Sequence, residues 1–256
     1  MSSAAAFAHR HLHVHGTSPI HRLAPEAKLL GLLGFVVTVA ITPRQWMIAF
    51  AIDATVLLGV LVAARLKPRV VLGRLAAILP FVAFAFLFPF LGDGETTSVL
   101  GISLSIDGLW ASWNVLAKAT LGGAASIAVT ATTPIPELLT GLSRLRVPAS
   151  VVAILGFMFR YLDLMVDEFG RMRRAMAARA YNPRWLWQSR PLASSAGALF
   201  VRTYERGERV HDAMAARGFT GTMPTFSEAS TTRNDWLLAA LPAVASVVGL
   251  TIVGLT

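Results

Sequence analysis

Long apolar stretches alternate with short polar segments over most of this 256-residue chain. A helix needs roughly 20 mainly apolar residues to cross a bilayer. The pattern therefore predicts an all-α, polytopic membrane protein with about five spanning helices. The predicted spans cover residues 27–41, 46–64, 75–91, 109–131 and 236–255. We expect Pro80 and Pro89 to bend the third span, and Lys28 to snorkel at the inner end of the first.

Residues 132–234 follow a different, amphipathic pattern. The apolar run Ala149–Phe159 is 11 residues long, too short to cross, and Arg160 and Asp163 follow it. We interpret residues 149–166 as a helix at the inner membrane interface rather than a span. A second amphipathic helix is predicted over 192–216 and a shorter one over 136–145. The predicted inner face of the 192–216 helix comprises Leu199, Phe200, Thr203, Gly207, Val210 and Met214.

Composition supports lipid as the solvent for much of the chain. Hydrophobic residues make up 55% and charged residues 14%, with a mean hydropathy of +0.60; soluble domains carry about 25% charged residues. The absence of cysteine excludes disulfides, thiolate metal sites and a cysteine nucleophile. No lysine follows a glycine, which excludes a phosphate-binding loop. We find no catalytic constellation, so an intramembrane enzyme is unsupported.

The positions of the positive charges predict the topology. Of the 23 Lys and Arg residues, 14 lie between Arg144 and Arg233. The loop 65–74 is also strongly basic, whereas the loop 92–106 contains no Lys or Arg. By the positive-inside rule, the N-terminus and residues 132–234 lie in the cytoplasm and the C-terminus lies outside. This rule accounts for the basic residues beside the spans, so the high pI of 11.1 gives no support to nucleic-acid binding.

The predicted organisation has four parts: a cytoplasmic histidine-rich tail (1–23), a membrane domain of four spans (24–131), a cytoplasmic and interfacial domain (132–234), and a C-terminal span (235–256).

One short motif, Ala-Met-Ala-Ala-Arg, occurs twice, ending at Arg179 and at Arg217. A cation near a helix C-terminus is stabilised by the helix dipole, by about 0.3–1 kcal/mol, and this would explain one copy. Two copies with similar flanks favour a second explanation, in which both arginines are bidentate donors to acidic groups on a partner. Small neighbours let each helix end enter a groove: Ala175, Ala178, Ala213 and Ala216.

Three other features stay open at this stage. His9, His11, His13 and His15 alternate in the tail, where they either bind a transition metal or belong to a disordered, weakly binding segment. Asp53 and Lys118 lie inside predicted spans and are either functional or structural polar residues.

The chain resembles the transmembrane T component of energy-coupling factor (ECF) transporters, in particular the CbiQ-type protein of cobalt and nickel importers. The segment His21–Leu29 looks like that family's approach to its first span. Val147-Pro148, then Arg160-Tyr161-Leu162 through Glu168 to Ala178-Arg179-Ala180, is similar to its coupling segment. Arg217-Gly218-Phe219 fits its second motif.

The resemblance implies that two cytoplasmic helices dock into grooves on two ABC-type ATPase subunits. Arg179 and Arg217 would be the docking arginines, with Ala178, Ala180, Ala216 and Gly218 packed closely beside them. The supporting residues of the coupling helices would be Arg160, Tyr161, Glu168, Arg171 and Arg209. Because the first motif ends in Ala180 rather than glycine, we expect its helix to continue towards Asn182-Pro183.

The resemblance also implies a substrate-binding membrane subunit and a small accessory membrane subunit as partners. This chain would be non-catalytic and hold no cofactor, since ATP and Mg²⁺ would be bound by the ATPases. Its place would be the cytoplasmic membrane of a bacterium or archaeon. The alternatives are a T component of a vitamin importer and a membrane carrier that binds metal through its tail. The histidine-rich start of the chain and its His-Arg-Leu motif favour cobalt or nickel uptake over another cargo, without a choice between the two metals.

Overall fold

The computed structural model describes residues 18–91, 96–99, 102–181, 185–221 and 232–255. The regular secondary structure of these residues is helical apart from one two-stranded hairpin, so the predicted all-α class is confirmed. Internal contacts divide them into two units, one of residues 18–141 with 232–255 and one of residues 142–221.

Among the described residues, the first unit contains seven helices from the first part of the chain together with the C-terminal helix. Its helices are α1 (Pro19–Arg22), α2 (Pro25–Ile41), α3 (Met47–Ala63), α4 (Pro68–Leu75), α5 (Leu79–Ala85), α6 (Phe88–Leu91), α7 (Ile106–Thr132) and α11 (Arg233–Leu255). Helix α8 (Ile135–Arg144) leads along the chain towards the second unit. The second unit contains α9 (Ala149–Ala178) and α10 (Arg190–Ala215).

Four described segments are long and apolar enough to cross a membrane, judged by length and composition: Pro68–Phe90, Ile106–Thr132, Ala149–Ala178 and Arg233–Gly254. Helix α3 is a shorter apolar helix, and α2 has 17 residues. The chain is thus a multi-pass membrane protein. Because α9 is among the qualifying segments, the interfacial position of residues 149–166 stays a prediction.

The core of the first unit forms where α2, α3 and α7 meet. Phe35 and Val39 on α2 pack with Phe50 and Leu57 on α3 and with the small residues of α7, which include Ala124 and Ala125. The small side chains of Ala124 and Ala125 allow α7 to approach the other two helices closely. Helix α11 packs along α2 and α3, and α7 contacts α4, α5 and α6 as well.

The third predicted span is a series of short helices rather than one bent helix. A 3₁₀ turn (Ala76–Ile78) separates α4 from α5, and Pro80 lies in the first turn of α5, where its missing N–H costs no helical hydrogen bond. The loop that follows contains an antiparallel hairpin that the sequence analysis did not predict, β1 (Thr96–Val99) with β2 (Ile102–Ser105).

The buried lysine of α2 contradicts the snorkelling prediction. Lys28 is only 5% exposed. Its Nζ donates hydrogen bonds to three oxygens: His21 O at 3.2 Å, Thr132 O at 3.4 Å and Thr133 Oγ1 at 3.0 Å. Because these acceptors satisfy the ammonium inside the protein, its side chain has no need to reach water. Lys28 therefore connects the start of α2 to the end of α7.

Asp53 and Lys118 are not paired with each other. Asp53 Oδ1 accepts a hydrogen bond from Ser246 Oγ at 2.6 Å, in a buried contact between α3 and α11. Lys118 Nζ donates to the carbonyl oxygen of Ala40 at 2.7 Å. Each therefore has a structural partner within the first unit.

Candidate functional site

The two helices of the second unit, α9 and α10, run antiparallel. Three contacts give the order: Met176 Sδ to Ser195 Oγ (3.5 Å), Glu168 Oε1 to Arg202 Nη1 (2.8 Å) and Met165 Sδ to Thr203 Oγ1 (2.9 Å). Residue numbers rise along α9 as they fall along α10. The end of α9 therefore lies beside the start of α10, and the end of α10 lies beside the start of α9.

The facing side of α10 follows the predicted periodicity apart from two residues, Phe200 and Arg206. Phe157, Tyr161 and Met165 of α9 line a shared groove with Val210 of α10, which the sequence pattern places on the inner face. Phe200, however, was wrongly assigned to the inner face, because its side chain is 71% exposed. The inner stripe instead follows residues 195, 199, 203, 206, 210 and 214 at helical spacing, which includes Arg206.

Glu168 forms two ion pairs, one within α9 and one with α10. Its carboxylate accepts hydrogen bonds from Arg171 Nη2, one turn along α9, at 2.5 Å and from Arg202 Nη1 on α10 at 2.8 Å. Glu168 and Arg171 were candidates from the sequence, but Arg202 was missed. No local motif marks Arg202, since its partner lies 34 residues away.

The first copy of the repeated motif ends α9 in a left-handed cap. Ala180 has a φ of 59°, its N–H bonds to Ala177 O at 3.0 Å, and the N–H of Tyr181 bonds to Met176 O at 3.1 Å. This pair of bonds is the Schellman arrangement. The expectation that this helix continues towards Asn182-Pro183 is therefore wrong. Helix α9 ends at Ala178, and Arg179 is its C-cap residue.

The second copy ends α10 in the same way. Gly218 has a φ of 81°, its N–H bonds to Ala215 O at 3.0 Å, and the N–H of Phe219 bonds to Met214 O at 3.0 Å. Arg217 therefore occupies the same place in its cap as Arg179 does in the first. The sequence repeat is thus a repeat of backbone geometry.

Both arginines are exposed, as are Ala178, Ala180, Ala216 and Gly218. Within the described part of the chain, no ion pair or side-chain hydrogen bond involves Arg179 or Arg217. Since α9 has 30 residues and a helix rises 1.5 Å per residue, α9 is about 45 Å long, and Arg179 and Arg217 lie near its opposite ends. One unit therefore presents two similar cationic ends in two different places.

The other supporting candidates lie along the same helices. The ring of Tyr161 stacks on that of Phe157, with centroids 6.3 Å apart. Arg160 and Arg209 are exposed on α9 and α10. Among the described residues, no three His, Asp or Glu side chains are placed to hold a metal ion. The histidine candidates His9, His11, His13 and His15 lie outside the described residues.

Comparison with known proteins gives the family. The profile of the CbiQ cobalt transport proteins matches residues 16–227, which is most of the chain and includes both capped ends. The chain belongs to the CbiQ family. A relative from Rhodobacter capsulatus, named cobalt transport protein CbiQ, is 30% identical over 206 residues, covering 77% of this chain and 78% of the relative.

Two further relatives extend the comparison beyond the CbiQ name. The energy-coupling factor transporter transmembrane protein EcfT of Bacillus subtilis is 25% identical over 227 residues, covering 82% of this chain and 83% of its own length. A putative fused cobalt transport protein CbiMQ of Methanocorpusculum labreanum is 24% identical over 214 residues, covering 80% of this chain and 36% of the relative. All three are named as transport proteins.

Proposed function

We propose that this chain is the transmembrane coupling component of an ECF-type importer, which transmits ATP hydrolysis by two ABC-type ATPase subunits to a substrate-binding membrane subunit. The observation that carries the proposal is the pair of equivalent arginine ends, on Arg179 and Arg217, in the antiparallel unit formed by α9 and α10. Two similar sites on one rigid body suit two copies of one partner, or two similar partners.

The geometry of the second unit suits the transmission of movement. The contacts of Met165, Glu168 and Met176 with α10 span about three turns of the second half of α9, so the helices can move as one body. ATP-driven closure of two docked ATPases would displace both ends together. An exposed arginine fits carboxylates on such a partner, because its planar fork makes two parallel hydrogen bonds.

The names of the relatives support cobalt as the cargo, with nickel as the alternative. The fused CbiMQ relative supports a separate membrane subunit as the partner that holds the cargo, and a small accessory membrane subunit fits the same complex. In this proposal the chain itself is non-catalytic, and ATP and Mg²⁺ are bound by the ATPases.

We further propose that α9 and α10 lie on the cytoplasmic side of a bacterial or archaeal inner membrane, with the N-terminus inside. If α9 crossed the bilayer, α10 beside it would bring charged residues into the hydrocarbon. Each charge at the centre of a span costs about 2.5–3.5 kcal/mol, so several would cost on the order of 10 kcal/mol. These charged residues of α10 are Arg202, Glu205, Arg206, Glu208, Arg209 and Asp212.

The first half of α9 is suited to the interface. Val151, Ile154, Met158 and Leu162 recur at three- to four-residue steps, and all four are exposed. This stripe is not covered by α10, so it is available to the outer edge of the hydrocarbon layer. The same helix can then contact lipid with one side and α10 with another.

Charge reversal at both ends tests the proposal. The double variant Arg179→Glu, Arg217→Glu should lose co-purification with the ATPase subunits while it inserts into the membrane at the wild-type level. The matched control is Arg173→Glu, Arg190→Glu, which changes the charge equally at two other exposed arginines of α9 and α10. Co-purification of the test variant at the wild-type yield would refute the docking role.

A further inference from the structure

The two motif copies are longer in the structure than the shared letters suggest. We define the cap segments as residues 176–181 and 214–219, which read Met-Ala-Ala-Arg-Ala-Tyr and Met-Ala-Ala-Arg-Gly-Phe. Each begins with a methionine three residues before the arginine. Each ends with an aromatic residue two residues after it.

The backbone brings the first and last residue of each cap segment together. The N–H of Tyr181 bonds to the carbonyl of Met176, and that of Phe219 bonds to the carbonyl of Met214. The left-handed residue between them, Ala180 or Gly218, reverses the chain so that an apolar residue after the helix can pack back onto its last turn.

Burial follows the same order in both cap segments. Met176 and Tyr181 are half-buried, and so are Met214 and Phe219, whereas the four residues between them are exposed in each copy. Met214 and Phe219 line one groove, and the hydroxyl of Tyr181 donates a hydrogen bond to Gln188 O. In each cap segment the methionine and the aromatic residue thus pack against the protein, and the arginine is exposed to solvent.

Two other helix ends show which part of this pattern is special. Arg65 and Arg146 also have a positive φ, of 54° and 61°, with the same pair of backbone hydrogen bonds. In those caps the arginine is the left-handed residue itself, and a leucine or valine follows it. Only in the cap segments, among the described helix ends, does an arginine precede the left-handed residue and an aromatic residue follow it.

We propose that the docking determinant at each end is the whole cap segment, in which Met176, Tyr181, Met214 and Phe219 are positioning residues for Arg179 and Arg217. This inference rests on the proposed function and assigns it a partner surface: an acidic groove on each ATPase that accepts a helix end closed by a left-handed cap. A cap that opens in the free protein must close again on docking, which weakens association.

The backbone at residue 218 gives a direct test. A Cβ there would meet no atom within 4 Å, so a substitution acts only through φ. Valine in the left-handed region is strained by an amount equivalent to roughly a tenfold change in an equilibrium constant, whereas asparagine tolerates that region. We expect Gly218→Val to raise the apparent Kd for the purified ATPase pair of its own complex by roughly tenfold. Gly218→Asn should stay close to the wild type.

A second pair of variants tests the aromatic anchor. Phe219→Ala should weaken association, and Phe219→Tyr, which introduces the residue of the first cap segment, should retain it. Gly197→Val is the control for Gly218→Val, since position 197 lies inside α10 and a Cβ there also meets no atom within 4 Å. The assay is titration of the full-length chain, in detergent, with the ATPase pair, and each variant must first insert and elute as a single species.

The outcomes separate the two hypotheses. If Arg217→Glu weakens association but Gly218→Val and Phe219→Ala bind as tightly as the wild type, the cap plays no part and the inference is overturned while the docking function stands. If Arg217→Glu itself binds as the wild type does, the docking function fails and the role of the cap fails with it.

Discussion

Replacing Gly31 by alanine should destabilise the first unit through the contact between α2 and α11. A Cβ at residue 31 would lie 2.2 Å from the carbonyl oxygen of Ala239 and 3.0 Å from its carbonyl carbon. Ordinary van der Waals contact begins at 3.4 Å, so the helices would have to separate locally by about 1 Å. Backbone atoms cannot rotate away as the tip of a side chain can.

The magnitude follows from two opposing effects. Glycine to alanine inside a helix gains about 0.8–1 kcal/mol from helix propensity, and overpacking a close contact costs about 1–3 kcal/mol. Gly59 on α3 is the matched control, because a Cβ there meets nothing within 4 Å. The propensity gain cancels between the two variants. Gly31→Ala should therefore be less stable than Gly59→Ala by about 1–3 kcal/mol.

The assay is equilibrium unfolding in mixed detergent micelles with increasing sodium dodecyl sulfate, followed by circular dichroism. Gly34→Ala supplies an intermediate case, since its Cβ would lie 3.1 Å from the Cβ of Ala243, a side-chain atom. We expect stability to decrease from Gly59→Ala through Gly34→Ala to Gly31→Ala. Equal stability of the first and last would show that the two helices do not approach each other in this way.

Two further predictions concern the second unit. Glu168→Arg should disrupt the pairing of α9 with α10, because it places three cations together, and adding Arg202→Glu should restore the pairing. The measurement is the yield of a disulfide between cysteines introduced at positions 165 and 203, since the chain has no cysteine of its own. Single cysteines at Arg173 and Glu208 should both react with a membrane-impermeant maleimide only from the cytoplasmic side; labelling of either from outside would contradict the interfacial position of α9.

The positions of the helices could be predicted from the sequence because apolar length and helical periodicity are local signals. The predicted helix 192–216 corresponds to α10 (Arg190–Ala215), and the predicted 136–145 to α8 (Ile135–Arg144). The break in the third span was harder to predict, because a proline indicates a disturbed helix but does not show whether the helix bends or a new helix begins.

The errors arose where a distant partner decides the structure. Lys28 was expected to reach water, but Thr132 and Thr133, more than 100 residues later, satisfy its ammonium inside the protein. Arg202 was missed for the same reason. Ala180 was expected to continue its helix because alanine favours helices, yet the bond between Tyr181 and Met176 closes a cap in which alanine is left-handed.

The difference between Ala180 and Gly218 makes the two capped helix ends unequal in a way that the shared motif conceals. Both caps have the same hydrogen bonds, but glycine adopts a positive φ freely, whereas alanine is strained there by about 1 kcal/mol. The hydroxyl of Tyr181, which Phe219 lacks, bonds to Gln188 O and supports the first cap from the segment before α10. The first end therefore combines a strained backbone with an additional side-chain hydrogen bond, and the second end combines an unstrained glycine with the half-buried ring of Phe219. If two ATPase grooves must be held equally by one chain, this compensation explains how the first motif can function without a glycine.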